Sequence, residues 1–342
     1  MEQPRKEQHR VARAAGVVGT TTILSRVLGV VRDMAVFAYF GKTATDAFYL
    51  ALTIPGVLRG LLAEGALNIA FLPVLTDYLK RGTRNETREM ISVVFTFFGI
   101  LLAVVSILGL MFAPPLVKLL APGPGFADIP LKYELTAKLV RIIFPYLFFV
   151  GMTSLSMGVL NSLNHFLAPG LSPSLWNVGI IFGAVVLSQY FSEPVIGAGV
   201  GVLLGGVLQF LFQLPFMKAR EFLPVLSFQF SHPALWRILK LMLPAILGLS
   251  VSQVTVIFVR QFASYLPEGA VSYLFGADRL IQFPLGVFAV TVGTAVLPSL
   301  SRHASDEDFS GFKETLSFGL RLVLFLTIPS MVALIILRVP IV

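Results

Sequence analysis

Residues 25–33 read Ser25-Arg26-Val27-Leu28-Gly29-Val30-Val31-Arg32-Asp33, three formal charges inside an otherwise apolar segment that runs from about Gly16 to Phe40. At about 100° per residue, with Arg26 at zero, Asp33 falls at about −20°, Gly29 at about −60°, Ser25 at about −100° and Arg32 at about −120°. The polar groups share one side, while Val27, Leu28, Val30, Val31 and Met34 cover the rest of the helix. A charge at the bilayer centre costs at least about 2.5–3.5 kcal/mol, so three of them facing lipid would cost roughly 7–10 kcal/mol. The polar arc must face protein or water, and it is expected to line a cavity.

The rest of the chain sets this helix in a membrane. Of 342 residues, 56% are hydrophobic and only 13% charged, with a mean hydropathy of +0.84, against roughly a quarter charged in soluble domains. The 29 Gly and 21 Pro are better tolerated in transmembrane helices than in soluble ones. Apolar runs repeatedly exceed the strand length of a membrane β-barrel, about ten alternating residues. Cysteine is absent, which excludes disulfides and thiolate metal sites. His9, His165, His232 and His303 lie near segment ends without partners at ligand spacing. No cofactor or metal is expected.

On the rule that about 20 apolar residues span the hydrocarbon core, spans are expected at about 16–40, 46–79, 90–120, 133–163, 171–190, 195–217, 238–265, 270–301 and 312–338. With the N-terminus inside, fourteen basic residues fall on the cytoplasmic side, from Arg5, Lys6, Arg10 and Arg13 through Lys80–Arg88 and Lys218–Lys240 to Arg302 and Lys313. Only Lys42, Lys118, Lys132 and Arg338 fall outside. That asymmetry is the positive-inside signal, and it accounts for the net charge of +8 without nucleic acid. The N-terminal leader lacks the small-residue cleavage site of a secretory signal. The connection from Lys218 to Lys240, with Phe222, Leu223, Leu226, Phe228 and Phe230, is expected to lie on the inner membrane surface and to divide two lobes, 1–230 and 231–342.

An internal repeat supports that division. Ala70-Phe71-Leu72-Pro73-Val74-Leu75 closes the second span, and Ala295-Val296-Leu297-Pro298-Ser299-Leu300 closes the eighth, 225 positions later. An even number of spans separates them, as in parallel transporter repeats. Both spans are interrupted, by Pro55-Gly56 and by Pro284 with Gly286, and each interruption stands within five residues of an arginine, Arg59 or Arg279. Proline removes a helix hydrogen bond, so these four residues are candidate hinges. Gly60, Glu64 and Asn68 form a stripe at i, i+4 spacing, and Asp278 and Arg279 enter the eighth span together.

Arg26, Arg32, Asp33, Arg59, Glu64, Asp278 and Arg279 could simply fasten helices as ion pairs. Four arginines outnumber three carboxylates, however, and guanidinium suits phosphate oxygens, so the set points to an anionic, phosphate-bearing cargo. Arg260 and Arg321 lie near span ends and are expected to snorkel to headgroups. A metal-dependent membrane enzyme would want clustered carboxylates, which the apolar spans lack. The acidic Ser305-Asp306-Glu307-Asp308 reads as a solvated helix entry with Asp306 or Asp308 near an N-cap. The alternating glycines 197, 199, 201, 205 and 206 follow no strand, so they read as a close helix-packing face.

Taken together, Ser25–Asp33, Ala44-Thr45-Asp46-Ala47-Phe48, Arg59 with Ala63-Glu64-Gly65-Ala66 and Phe71-Leu72-Pro73, and Ala277-Asp278-Arg279-Leu280 with Phe283-Pro284-Leu285-Gly286-Val287 and Leu297-Pro298-Ser299-Leu300 resemble the MurJ/MviN family. These are lipid II flippases of peptidoglycan synthesis, within the MOP exporter superfamily. The resemblance implies two pseudo-symmetric lobes around a central cavity that alternates between inward-open and outward-open states. It implies that Arg26, Arg32, Arg59 and Arg279 handle the cargo diphosphate, and that Ser25, Asp33, Asp46, Glu64 and Asp278 belong to the cavity and its gating. Many members carry a second basic residue after the position of Arg59, where this chain has Gly60. Members also continue for about five further helices, so the second lobe is expected to be incomplete. Cation sites of some members draw on those helices, and the seventh span shows Ser252, Gln253 and Thr255 without an acid, so sodium coupling is not implied.

The expectation is an all-α polytopic protein of the bacterial inner membrane, with about nine transmembrane helices, that is not an enzyme. Its expected partners are lipid II, membrane lipids and the cell-wall synthesis machinery. The alternatives are a related exporter of a small solute or another polyprenyl-linked glycan, and a lipid- or partner-binding lobe that does not transport. A small-solute exporter would not need excess arginine, and a binding lobe would show no inward and outward states.

Overall fold

The computed structural model describes residues 2–337, apart from the side chains of residues 2–15, Ala63, Glu64, Ala127, Phe283, Val287, Phe288, Val290, Thr291, Thr294 and Pro298. All the regular structure described is helical. Six helical rods, Lys42–Arg81, Arg84–Met111, Pro130–Ser162, Val195–Ala219, Pro233–Ser264 and Phe309–Ile336, are long and apolar enough to cross a membrane. The helix that bears Arg26, Arg32 and Asp33 is not among them. Two compact units divide the chain, Met1–Ser272 and Tyr273–Val342.

The first unit opens with α1 (Glu2–Tyr39), followed by a rod made of α2 (Lys42–Leu58), a π-helical stretch π1 (Arg59–Ala66) and α3 (Leu67–Arg81). Pro55 has no N–H to give the preceding turn, and the wider π-helical turns begin four residues later. Next come α4 (Arg84–Met111), whose entry is fixed by a capping box between Thr83 and Glu86, and the short α5 (Ala113–Leu120) and α6 (Pro124–Ala127). Then follow α7 (Pro130–Ile143), α8 (Tyr146–Ser162), α9 (Leu167–Val185), α10 (Val195–Ala219) and α11 (Pro233–Ser264). Its apolar core gathers Phe71 and Leu75 of α3, Phe95 of α4, Leu155 of α8 and Leu235 of α11, all buried.

Helices α9 and α10 meet backbone to backbone. A Cβ at Gly179 would stand 2.6 Å from the Gly205 Cα, one at Gly183 would stand 2.8 Å from the Gly201 Cα, and one at Gly201 would collide with the Gly179 carbonyl. The alternating glycines are therefore a close-packing face. This approach fixes α9, which in turn packs along α1. The connection after α10 runs extended along α4: the Val225 N–H donates to Ser92 Oγ at 3.2 Å and the Ser227 N–H to Thr96 Oγ1 at 3.0 Å. Phe222 is buried there, while Leu226 and Phe228 are exposed.

The second unit holds most of α12 (Ala270–Pro284), then π2 (Leu285–Ala289), α13 (Val290–Ser305) and α14 (Phe309–Ile336). Moving π1 by the repeat interval of 225 residues gives positions 284–291, which contain π2. Both copies of the repeat thus carry a π-helical segment just after their proline. Asp308 caps α14, accepting from the Gly311 N–H at 3.0 Å and from the Ser310 hydroxyl at 2.7 Å, while Asp306 closes α13. Those two bonds, with His303 alongside, hold the Asp308 carboxyl below the ordinary carboxylate range.

Two outcomes follow. Gly201→Ala should force α9 and α10 apart at a cost of about 1–3 kcal/mol, read as a lower unfolding temperature in detergent. Asp308→Ala should increase hydrogen exchange in the first turn of α14. Because the folded carboxyl is depressed, its contribution is complete above the unfolded value near pH 4 and is lost as pH falls through the folded one.

Candidate functional site

Arg32 is 4% exposed, so its charge must be met by neighbours. Its Nε and Nη2 donate to Asp33 Oδ1 at 2.9 and 2.6 Å, and Nη1 donates to Asn177 Oδ1 at 3.0 Å. The Asn177 amide in turn donates to the Ser25 carbonyl at 3.0 Å, stitching α9 to α1 two turns before Arg32. Beside Asn177, the Trp176 indole carries the Arg32 guanidinium 5.0 Å from its ring centroid and the Arg59 guanidinium 5.7 Å from it. Tyr146 stacks on the same indole at 5.5 Å and 22°, and its hydroxyl accepts from Arg59 Nη1 at 3.3 Å. Four elements, α1, π1, α8 and α9, therefore bring together Arg32, Asp33, Arg59, Tyr146, Trp176 and Asn177.

Arg59 is the first residue of π1, and glycines let this segment approach α11. A Cβ at Gly60 would stand 3.0 Å from Gln253 Nε2, and one at Gly65 would stand 2.5 Å from Leu249 Cδ1 while striking the Gly60 carbonyl. Gly60, where family members often have a second cation, is thus a close-packing residue here. π-helical insertions recur at functional sites, and this one carries the sequence-predicted Arg59.

Arg26 stands apart from this cluster. Six residues before Arg32, about 9 Å along the helix, it is exposed and lines a separate cleft of about 280 Å³ with Thr22, Ser25, Asn161, Phe166 and Pro169. It makes no hydrogen bond or ion pair among the described residues. The helical arc of α1 therefore divides between two settings: a buried cluster at Arg32 and Asp33, and an open cleft at Ser25 and Arg26.

Asp46 lies in neither. It is 1% exposed and pairs with Lys132, also 1% exposed, at 2.8 Å. Lys132 additionally donates to the Gly125 carbonyl at 3.0 Å and sits 4.0 Å from the Phe126 ring centroid. The other contacts of Asp46 lie at the entry to α12, from the Gly269 N–H at 2.8 Å, the Ser272 N–H at 2.9 Å and the Ser272 hydroxyl at 2.6 Å. A carboxylate at a helix N-terminus meets unpaired N–H groups and the positive end of the dipole. Two expectations are corrected here. Lys132, counted from sequence as an outer-loop cation, is a buried counter-ion, because the turn-rich 121–129 loop folds over it. Arg260, expected to snorkel, is only 6% exposed.

Of the remaining sequence candidates, the backbone of Glu64 lies in π1, but its side chain is outside the described residues. In the second unit, Arg279 is half-buried and Asp278 exposed, both on α12 within two turns of Pro284. Pro55 lies inside α2 and Pro284 ends α12. Gly56 has open space where a Cβ would point, and Gly286 falls inside π2. Sequence reasoning missed Trp176, Asn177 and Tyr146. A signal existed in the adjacent Trp176-Asn177, a polar pair within an apolar span that carries one of only two tryptophans.

Lys132→Met should strand the buried Asp46 carboxylate and cost about 3–5 kcal/mol, lowering the unfolding temperature. Adding Asp46→Asn should recover part of the loss, and a double-mutant cycle measures the coupling.

Comparison with known proteins identifies the family. The family model described as lipid II flippase MurJ matches residues 36–342. A probable lipid II flippase MurJ from Vibrio cholerae is 39% identical over 338 residues, covering 97% of this chain and 64% of the relative. The lipid II flippase MurJ of Burkholderia cenocepacia is 37% identical, covering 94% of this chain and 63% of the relative. The chain thus spans just under two thirds of the length of these curated relatives. A solved lipid II flippase MurJ in an inward closed conformation superposes with a TM-score of 0.78 at 31% identity, over 95% of this chain and 66% of that one. An inward-facing MATE family transporter of the MOP superfamily shares the fold at a TM-score of 0.70 and 16% identity, over 92% of this chain and 71% of that one. With its apolar helices, its matching family model and these relatives, the chain is a multi-pass inner-membrane protein that belongs to the MurJ lipid II flippase family, a family of transporters and not of enzymes.

Proposed function

We propose that the chain moves lipid II, a polyprenyl diphosphate carrying a sugar-peptide headgroup, from the inner to the outer leaflet by alternating access. The observation that carries this reading is the convergence of Arg32 and Arg59 on one indole beside a single described carboxylate, Asp33. Guanidinium donors match phosphate oxygens, and charge interactions are stronger in an apolar setting than in water. Arg26, in its own cleft with Ser25, is proposed to meet the headgroup first. Arg279 is proposed as the contribution of the second lobe, on the strength of the motif around it. The polyprenyl tail would remain in lipid while the headgroup crosses.

We further propose that the N-terminus is cytoplasmic, that the lobes divide near residue 230, and that the π-helical segments after Pro55 and Pro284 absorb the bending that alternation requires. π-Bulges and prolines are the places where helices kink. Support for the orientation is the excess of basic residues on one side.

The chain is reconstituted in nanodiscs and its affinity for lipid II measured. Arg32→Ala and Arg59→Ala should each weaken binding at least about tenfold, since charge-assisted bonds are worth about 1.5–3 kcal/mol. Parental affinity in both variants, with folding intact, would overturn the assignment of the cluster to the cargo diphosphate.

A further inference from the structure

We propose that Trp176 is a positioning residue that sets the two arginines at the separation a diphosphate needs, and so makes the site prefer a diphosphate to a monophosphate. The inference rests on the reading of Arg32 and Arg59 as the cargo site, and adds to it the device that holds them. Two guanidiniums repel, and long arginine side chains lose rotamer freedom when fixed. Here each has a partner that orients it from outside: Asp33 and Asn177 for Arg32, and the Tyr146 hydroxyl for Arg59. What they share is the indole. Distances of 5.0 and 5.7 Å from one centroid bring the two guanidinium carbons within about 11 Å of each other.

The negative face of an indole attracts a cation, tryptophan most strongly of the aromatic residues, so one ring offsets part of the repulsion between both charges. Tyr146 stacks on that ring and limits its rotation. The indole N–H is buried and has no acceptor among the described residues. A single phosphate satisfies one guanidinium well, whereas two linked phosphates can engage both without moving them. Preorganisation of this kind favours the ligand that uses the whole array.

The probes are undecaprenyl diphosphate and undecaprenyl monophosphate, titrated in nanodiscs against the parent chain, Trp176→Leu, Trp176→Phe, Arg32→Ala and Arg59→Ala. Trp176→Leu should lose about tenfold in diphosphate affinity and little for the monophosphate, so that the ratio of the two falls toward one. Trp176→Phe, which keeps a ring face, should retain most of the ratio. Trp236→Phe leaves Trp176 as the only tryptophan, and its emission should shift on adding the diphosphate lipid but not the monophosphate. An unchanged ratio in Trp176→Leu, alongside binding lost in the arginine variants, would overturn the positioning role and leave the cargo site standing. Full diphosphate binding in both arginine variants would remove the cargo site and this inference with it. Thermal unfolding of each variant separates these outcomes from loss of fold: if Trp176→Leu does not fold, the decision passes to the ratio in Trp176→Phe and the emission of Trp236→Phe, and an absent shift overturns the proposal.

Discussion

A guanidinium 4% exposed in a helix that is otherwise apolar has to be satisfied by protein, since an isolated buried charge costs far more than a folded domain can supply. Much of the first unit is arranged around that requirement at Arg32. Its nearest carboxylate is the next residue in sequence, but one carboxylate does not satisfy a group with five donors. The rest comes from α9, through Asn177 and the face of Trp176. For α9 to reach α1 at the right height it is held from behind by α10, and the contact between them is one that glycines alone permit. A glycine face 20 residues further along the chain thus helps set the chemistry at Arg32.

The Lys132–Asp46 and Arg32–Asp33 pairs, both buried, have different characters. Lys132 is fully committed: carboxylate, carbonyl and aromatic ring surround its ammonium, and Asp46 spends its remaining lone pairs on the entry to α12. That pair is structural, joining the α7 region to the start of α12. Arg32 and Asp33 also pair, but here a second guanidinium, that of Arg59, lies on the same indole. The proposed anion site is the second place, where guanidinium donors can turn to phosphate oxygens. The pairing that the sequence suggested as mere fastening is real at Asp33, while Asp46, which the resemblance placed in the cavity, is paired with Lys132.

Charges in apolar helices are conspicuous in a sequence because lipid cannot solvate them, and Arg26, Arg32, Asp33 and Arg59 stood out for that reason. The close-packing role of the α10 glycines was readable from spacing and the absence of a preceding strand. The repeat interval of 225 residues matches the spacing of π1 and π2, though nothing in the sequence marked either segment as π-helical. What could not be read was which charges meet. Helical angles placed Arg26 and Arg32 on one arc, yet a rise of about 9 Å separates them into different settings, Arg32 against Asn177 and Trp176 of α9 and Arg26 in an open cleft. Trp176, Asn177 and Tyr146 carry no charge, and although the adjacent Trp176-Asn177 stands out in an apolar span, only tertiary packing shows which arginines the three residues meet. The burial of Lys132 depends on a loop whose glycines 123 and 125 pack against Ser264 and Leu266, a long-range contact with no local signature.

The central claim is that the cargo diphosphate sits on the arginines joined by Trp176. The direct measurement is phosphorus-31 to nitrogen-15 recoupling in membranes, using undecaprenyl diphosphate and protein carrying nitrogen-15 in its arginine guanidinium and tryptophan indole groups, with Trp236 replaced by Phe. Charge-assisted N–H···O bonds of about 2.7–2.9 Å place phosphorus near guanidinium nitrogen, so strong dephasing is expected, weakened when Arg32 and Arg59 are both replaced, together with a signal from the Trp176 indole. Dephasing that survives loss of both arginines would contradict the account.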